Sequence, residues 1–513
     1  MSVPPADVCL LLEGTYPYVA GGVSGWVHNL IKALPDFTFS AVCILPDSTK
    51  EWPLKYDPPE NFIGHDVIYL HDRTSIKRSY LMPRIRGEMD ARLRAFHQSV
   101  HDRHPEQVRD LFLRLMRSTA QGRNPSVHEY IHGRAAWKLV VERYQEFAPE
   151  ASFLDYFWTY RFTHLPLFKL LEYRLPEAKA YHTVCTGYAG FLGMMARLTR
   201  RRPLLLTEHG IYVKERKIEI AQAEWIYADA KRRMRLERDL GIFHKFWIRI
   251  FESLGRLTYD CCARIISLYE GNRQLEIEEG ADPARTEVIP NGINLEHFQN
   301  LKPEGYPDPA QKRFKVGFVG RVVPIKDVHT FVRACKIVSM RLPGQVEFLV
   351  LGPRTEDEEY YKECLELVHM LGLEQELKFL GRVNVREYYK ELDLVVLTSI
   401  SEAQPLVLME ANCAGIPVVA SDVGSCRELL EGRVAEDRAL GHSGMVTKVA
   451  NPAETAEAMV ACLTDFQRRS RMIEAGRARI DRFYREDDLN ERYRAIYREA
   501  ADCPELTEDP WQA

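Results

Sequence analysis

The stretch that most constrains this chain runs from Leu394 to Ala420. Leu394-Val395-Val396-Leu397 is an uninterrupted apolar run, the pattern of a strand buried on both faces in a parallel sheet. Small and polar residues make a turn after it. Pro405 stands where a first helical residue would, since its missing N–H is no loss there. Gly415 suits the end of that helix, and Pro417 opens the next apolar run, Val418-Val419-Ala420. The pattern predicts a strand–loop–helix–strand unit, which commits this part of the chain to an α/β sheet. It carries two carboxylates, Glu402 in the loop and Glu410 about two turns along the helix. Ligands of such sheets bind outside the carboxyl ends of the strands, where helix starts offer N–H donors to anions. Glu402 is therefore expected at the mouth of a ligand cleft and Glu410 near its lining. On these residues alone, a pair of solvated glutamates fits equally well.

At 513 residues the chain has room for two to three domains with ample core. Hydrophobic residues at 46% and charged residues at 28% place it among ordinary globular proteins. A net charge of −4 supplies no overall attraction to nucleic acid or to an anionic membrane, so any anion site must be local. The 11 cysteines are odd in number and show no paired C-x-x-C spacing. They read as buried thiols in a reducing compartment, with neither a disulfide framework nor a zinc site. No basic segment precedes the first apolar run, and no run approaches the roughly 18 apolar residues of a membrane span. The expectation is a cytoplasmic protein with no nucleic-acid partner.

In chain order, Val8 to Leu12 reads as a buried strand. Gly21-Gly22 stand between it and a helix with apolar spacing at Val23, Val27, Leu30, Ile31 and Leu34. Glycines there let a ligand approach the backbone, with a helix N-terminus aimed at it; a plain tight turn is the alternative. The pattern is not G-x-G-x-x-G, so a dinucleotide site is weakly signalled. Phe39–Leu45 and Val67–Leu70 are further strands. From about 79 to 175 the texture turns helical and rich in Arg and His. Arg84, Arg86, Arg92 and Arg94 there interleave with acidic residues, which favours a solvated amphipathic insertion over a binding patch. Alternation resumes at Ala180. Pro203–Thr207 is a strand that delivers Glu208-His209-Gly210 to its carboxyl end. A histidine at that edge can donate to a substrate hydroxyl or sit satisfied in the core. Helices over Lys214–Leu240 and Phe243–Ala263 follow, then strands at Arg264–Leu268 and Thr286–Ile289, and a turn at Pro290-Asn291-Gly292-Ile293-Asn294.

Asn300–Lys312 is polar and holds three prolines, which marks a domain boundary. A second α/β series begins at the strand Phe314–Val319. Gly320, Arg321 and Lys326 lie on the loop into the helix Asp327–Arg341. Arg321 can grip phosphate oxygens bidentately and Lys326 adds a point charge, although surface charge is the simpler reading. Strands at Val346–Gly352, Leu377–Gly381 and Gly444–Thr447 flank the central unit. Helices at Pro452–Phe466 and Leu489–Ala500 close the chain, the last expected to pack back on the first domain.

Together, Gly21-Gly22, Glu208-His209-Gly210, Pro290–Asn294, Gly320-Arg321 with Lys326, and Glu402 with Glu410 resemble the retaining glycosyltransferases of family 4, in order and spacing over nearly the whole chain. The resemblance implies the GT-B fold: two Rossmann-like parallel-sheet domains facing a cleft, here over 1–305 and 306–480, with a helical insertion in the first and a C-terminal helix and tail over 481–513. It implies a UDP-sugar donor, which is a substrate and not a cofactor, and no metal. Arg321 and Lys326 would neutralise the diphosphate on the loop that opens at Gly320. Glu410 would hold the ribose. Glu402 would meet the donor sugar together with the helix start at Pro405 and Leu406, and His209 would act near its reacting side. Gly21 and Gly22 would lie near the diphosphate or the acceptor.

More narrowly, the opening Leu11–Trp26 and the insertion are similar to the cytoplasmic glycosyltransferases of Pel exopolysaccharide synthesis. That implies a growing glycan as acceptor and a membrane-bound Pel synthesis complex as partner. Two features depart from the family: the first domain is longer, and Gln404 replaces a small or aromatic residue, which leaves the donor sugar open. The rival readings are a UDP-N-acetylglucosamine 2-epimerase-like enzyme and a nucleotide-sugar-binding scaffold of a membrane synthase.

Overall fold

The structure is a computed structural model that describes residues 3–72, 134–222, 242–303, 306–308 and 310–506. The arginines at 84, 86, 92 and 94, most of the expected insertion, the expected helix beyond 222 and the final tail lie outside these residues. The chain divides into two compact units: 1–267 with 273–287 and 493 onward, and 268–272 with 288–492.

The first unit is built on strands β1 (Ala6–Glu13), β2 (Phe39–Leu45), β3 (Phe62–Tyr69), β4 (Ala178–Thr183), β5 (Leu204–Glu208), β6 (Arg264–Ser267) and β7 (Thr286–Val288). They form one sheet in the order β3-β2-β1-β4-β5-β6-β7. Every residue of β2 is buried, because helices cover both faces of a parallel sheet and leave no polar side. The helices are α1 (Gly22–Ala33), α2 (Arg134–Phe147), α3 (Phe153–Leu171), α4 (Tyr188–Thr199), α5 (Tyr212–Gln222), α6 (Ile242–Cys261) and α7 (Glu270–Glu278), the last shared between the units. α2 and α3 are the described part of the helical insertion, and α3 starts where Ser152 accepts from the Asp155 N–H.

The second unit continues with α8 (Leu295–Phe298), β8 (Phe314–Val319), α9 (Val328–Arg341), β9 (Val346–Leu351), α10 (Glu358–Met370), β10 (Leu377–Gly381) and α11 (Val385–Tyr389). Then come β11 (Leu394–Leu397), α12 (Leu406–Ala414), β12 (Val418–Ser421), α13 (Cys426–Glu431), α14 (Ala435–Arg438) and β13 (Gly444–Thr447). Helices α15 (Pro452–Thr464), α16 (Phe466–Phe483) and α17 (Glu486–Asp502) end the described chain. The sheet order is β10-β9-β8-β11-β12-β13, and each adjacent pair is parallel. Strand order reverses between β8 and β11, and in the first unit between β1 and β4. At such a reversal, crossovers leave on opposite sides and open a crevice at the carboxyl ends of the two strands.

Local chemistry sets the helix ends. Asp327 caps α9 from the left-handed conformation and accepts from the Thr330 N–H at 3.1 Å. Asp357 and Asn451 cap α10 and α15 from negative-φ backbone, accepting from the Tyr360 and Glu454 N–H groups. Pro405 is the N-cap of α12 rather than its first residue, with ψ of 108°, so the helix opens one position later than the proline pattern indicates. Gly415 ends it at φ 74°. Helix α16 carried no clear apolar stripe in the sequence. It buries Met472, Ile473, Ala475 and Ile480 together with two arginines, Arg469 and Arg479. Nine of the eleven thiols are buried. Among the described residues, no helix is long and apolar enough to cross a membrane.

Candidate functional site

The reversal point of the second unit brings together the loop after β8, residues 320–327, and the loop after β11, residues 398–405. Backbone and side chain stitch them. The Ile400 N–H donates to the Ile325 carbonyl at 2.9 Å, and the Thr398 hydroxyl donates to the Asp327 carbonyl at 2.8 Å. Pro324-Ile325-Lys326 makes one 3-10 turn that turns Lys326 toward the second loop. There the Lys326 ammonium pairs with Glu402 Oε1, which also accepts from the Ser399 hydroxyl at 2.6 Å. Both partners are largely shielded, at 19% and 12% exposure. Two neighbouring loops press on this pair of loops through glycines. At Gly352, φ is +155° and a Cβ would stand 2.0 Å from the Gly320 carbonyl oxygen. At Gly424, φ is +53° and a Cβ would stand 2.2 Å from the Glu402 carbonyl oxygen. Only glycine fits either place.

Arg321 is the second cation of the β8 loop. It is half exposed and bonds Glu356 of the β9 loop at 2.7 Å. Each cation is therefore matched by a carboxylate. Glu410 stands in the second turn of α12, nearer the helix start than the spacing from Glu402 indicates. Burial raises its carboxyl above the ordinary glutamate range, while a 2.7 Å bond from the Tyr389 hydroxyl holds it down. Leu406 opens α12 and is exposed. Gln404 is buried, and its amide oxygen accepts from the Asn291 N–H at 2.6 Å. It thereby ties the Pro290–Asn294 turn to the β11 loop. Its sequence position alone does not reveal that bond.

His209, Gly21 and Gly22 belong to the first unit. His209 follows β5, is buried, and meets the Trp26 ring edge-on at a centroid distance of 4.6 Å. Burial lowers its pKa to about 4, so the ring is neutral near pH 7. Trp26 rides on α1, which begins at Gly22 with Gly21 as its N-cap. A Cβ at Gly21 or Gly22 would meet nothing within 4 Å, so packing does not demand glycine there. The sequence reading missed Glu356, Ser399 and Tyr389. Their partners are far along the chain or in ordinary polar loops, and no local pattern marks them. Among the described residues, no group of three His, Cys, Asp or Glu side chains is placed to hold a metal ion.

Over nearly the whole chain the fold is shared with Anabaena Alr3699/HepE in complex with UDP, at 16% identity, 96% of this chain, 100% of that one and a TM-score of 0.56. It is shared equally with sucrose-phosphate synthase of Thermosynechococcus elongatus, at 15% identity, 97% and 98% coverage and a TM-score of 0.56. Residues 307–479 match the family described as Glycosyl transferases group 1. Fold and match define the class: a GT-B-fold chain with a group 1 glycosyltransferase domain holding the Lys326–Glu402 site. The chain belongs to the family described as Domain of unknown function (DUF3492), which matches residues 6–284, more than half its length. The D-inositol 3-phosphate glycosyltransferase of Geodermatophilus obscurus is 31% identical over 221 residues, 40% of this chain and 46% of that protein. That of Nocardia farcinica is 30% identical over 217 residues, 40% and 45% respectively. The chain spans about half the length of these curated relatives.

Proposed function

We propose that this protein is a retaining glycosyltransferase of family 4 that moves a sugar from a UDP-sugar to a growing glycan, without a metal. The observation that carries the reading is the Lys326–Glu402 pair, held across the two loops of the reversal point beside the start of α12. On donor binding, Lys326 and Arg321 turn to the diphosphate, and the backbone N–H groups of the first turn of α12, from Leu406 onward, and the backbone at Gly320 add dipolar stabilisation. Glu402, released from Lys326, accepts from a hydroxyl of the donor sugar. Glu410, held by Tyr389, accepts from the ribose hydroxyls. His209 of the first unit, neutral at pH 7, donates to the sugar near its reacting carbon, and the open backbone at Gly21-Gly22 leaves room for diphosphate or acceptor.

In the reaction, an acceptor hydroxyl oxygen bonds to the anomeric carbon as its bond to phosphate breaks. The hydroxyl proton passes to the leaving phosphate, on the same face. Charge on that phosphate is the main barrier, and two cations with a helix start meet it in place of a metal. UDP in the Anabaena neighbour supports the choice of nucleotide. The opening Leu11–Trp26 is similar to PelF, which supports Pel exopolysaccharide as the product and a membrane-bound Pel complex as the partner. Calorimetric titration with UDP, GDP and ADP in EDTA tests the reading. UDP alone is expected to bind, and binding of none of the three overturns it.

A further inference from the structure

The first unit has a reversal point of its own, between β1 and β4, and a cavity of about 410 Å³ opens at that end of its sheet. That volume lies in the range of small-ligand pockets, roughly 300–1,000 Å³. Phe162, Tyr188, Tyr212, Trp247 and Phe251 give it aromatic walls. Phe251 is the hub: Trp247 stacks on it at 6.0 Å, and Tyr188 and Tyr212 each meet it edge-on at 5.8 Å. Polar groups enter at fixed points. Glu13, the last residue of β1, accepts from the Tyr212 hydroxyl at 2.7 Å and from the Ala189 N–H at 3.2 Å. Arg216 lies over the Tyr212 ring at 5.2 Å and bonds Glu219. His71 and Ile220 complete the lining, and burial lowers the His71 pKa, which favours its neutral form.

This chemistry selects its ligand. Among the described residues that line it, two carboxylates stand against one guanidinium that is already paired, so a phosphorylated or otherwise anionic ligand meets net repulsion from them. A hydrocarbon ligand would dry the acceptor positions of Glu13 that Tyr212 and Ala189 do not fill, with no donor of its own to replace the lost water. A pyranose satisfies both demands, with C–H faces against the rings and hydroxyls donating to carboxylate. We propose that this cavity binds an uncharged pyranose ring of the glycan acceptor, with Glu13 as the hydroxyl anchor and Trp247 and Tyr212 as stacking walls. The proposal rests on the glycosyltransferase reading. It departs from the curated relatives, whose name specifies a phosphorylated inositol.

The test is saturation-transfer NMR on the full chain with glucose, N-acetylglucosamine, N-acetylgalactosamine and glucose 6-phosphate, each up to about 50 mM, with UDP affinity measured by calorimetry in parallel. At least one neutral sugar is expected to receive saturation, and glucose 6-phosphate to receive less than glucose. Glu13→Gln, which keeps the shape and removes the charge, and Trp247→Ala are each expected to weaken the neutral sugar about tenfold with UDP affinity unchanged within about twofold. The pocket assignment is overturned by a wild type that binds UDP but no neutral sugar, by variants that bind sugar normally, or by tighter binding of glucose 6-phosphate. A wild type that binds neutral sugar through Glu13 but no UDP keeps the pocket and overturns the donor reading instead.

Discussion

Lys326 and Glu402 lie 76 positions apart in the chain, yet their side chains form a shielded ion pair across the loops after β8 and β11. The pair occupies the reversal point of the sheet, where an α/β unit takes its ligand. The cation that would meet a diphosphate is thus held, before any donor arrives, by the carboxylate that would meet the donor sugar. On the proposed function, a bound donor would separate them and give each a new partner.

Lys326→Ala is expected to weaken UDP binding by about 1.5–3 kcal/mol, tenfold or more, because it removes a charge-assisted contact and leaves Glu402 unpaired beside the phosphates. Arg321→Ala should cost less, since its guanidinium is half exposed and water screens it. Calorimetry with UDP checks both, and unchanged affinity in the two variants removes the phosphate assignment.

Glu402→Ala works in the other direction on the nucleotide. Lys326 loses its competitor, so free UDP should bind as well as in the wild type or tighter. Turnover or donor selectivity should fall, because the sugar loses its carboxylate. Parallel calorimetry and product assays separate the effects. Wild-type turnover with unaltered selectivity counts against a role for Glu402 at the sugar.

Buried groups of the first unit give stability a pH dependence with a definite sign. Burial pushes Glu208 up to about 7 and Glu276 up to about 8. The folded state then keeps protons that the unfolded chain has lost, so stability falls as pH rises from the ordinary glutamate range to about 8. Burial also drops His182 to about 3 and His209 to about 4. Below the ordinary histidine value near ~6.5 the unfolded chain takes up protons these rings refuse, so stability there rises with pH. The two trends oppose each other in acid; above about 6.5 the histidine contribution fades as the unfolded rings lose their protons, and of these four groups the carboxyls set the sign from about 7 to 8. Thermal melts should show Tm falling across that window, with a shallower fall in Glu276→Gln. A Tm that holds level from about pH 7 to 8 in the wild type contradicts the assignment.

Arg479 is fully buried in the second unit. It bonds Asp437 at 2.5 Å, the Leu430 carbonyl at 2.9 Å and the Gly441 carbonyl at 2.7 Å. Arg479→Ala leaves Asp437 uncompensated in the core, at a cost of about 3–5 kcal/mol. The double variant Arg479→Met with Asp437→Leu should cost less, since no lone charge remains. Urea unfolding followed by circular dichroism compares them, and equal losses contradict the account.

Much of the architecture was legible along the chain. The strands Phe39–Leu45, Phe314–Val319, Leu377–Gly381, Leu394–Leu397 and Gly444–Thr447 stand where their apolar runs place them. Helix α9 begins beside its capping Asp327, and α12 ends at Gly415. Helix α16 was not legible, because its buried stripe includes Arg469 and Arg479, and the groups that satisfy Arg479 lie up to 49 positions away. The strand β3 begins at Phe62, five residues before its apolar run, since at the sheet edge the ladder holds residues whose side chains are only half covered.

The amino-acid sequence by itself determined most of the strands and several of the helices and turns, and that Arg321, Lys326, Glu402 and Glu410 ride on loops and helix starts of one α/β series. Those features depend on apolar period, caps and turn residues, interactions that reach a few positions. Only the tertiary structure decided which loops meet. The order β10-β9-β8-β11-β12-β13 sets Lys326 against Glu402, β9 beside β8 lets Glu356 take Arg321, and the first sheet gathers Glu13 with the aromatics of α4, α5 and α6. The reason is physical: a local pattern states that a strand is buried, while its neighbour in the sheet is set by packing among segments dozens of residues apart.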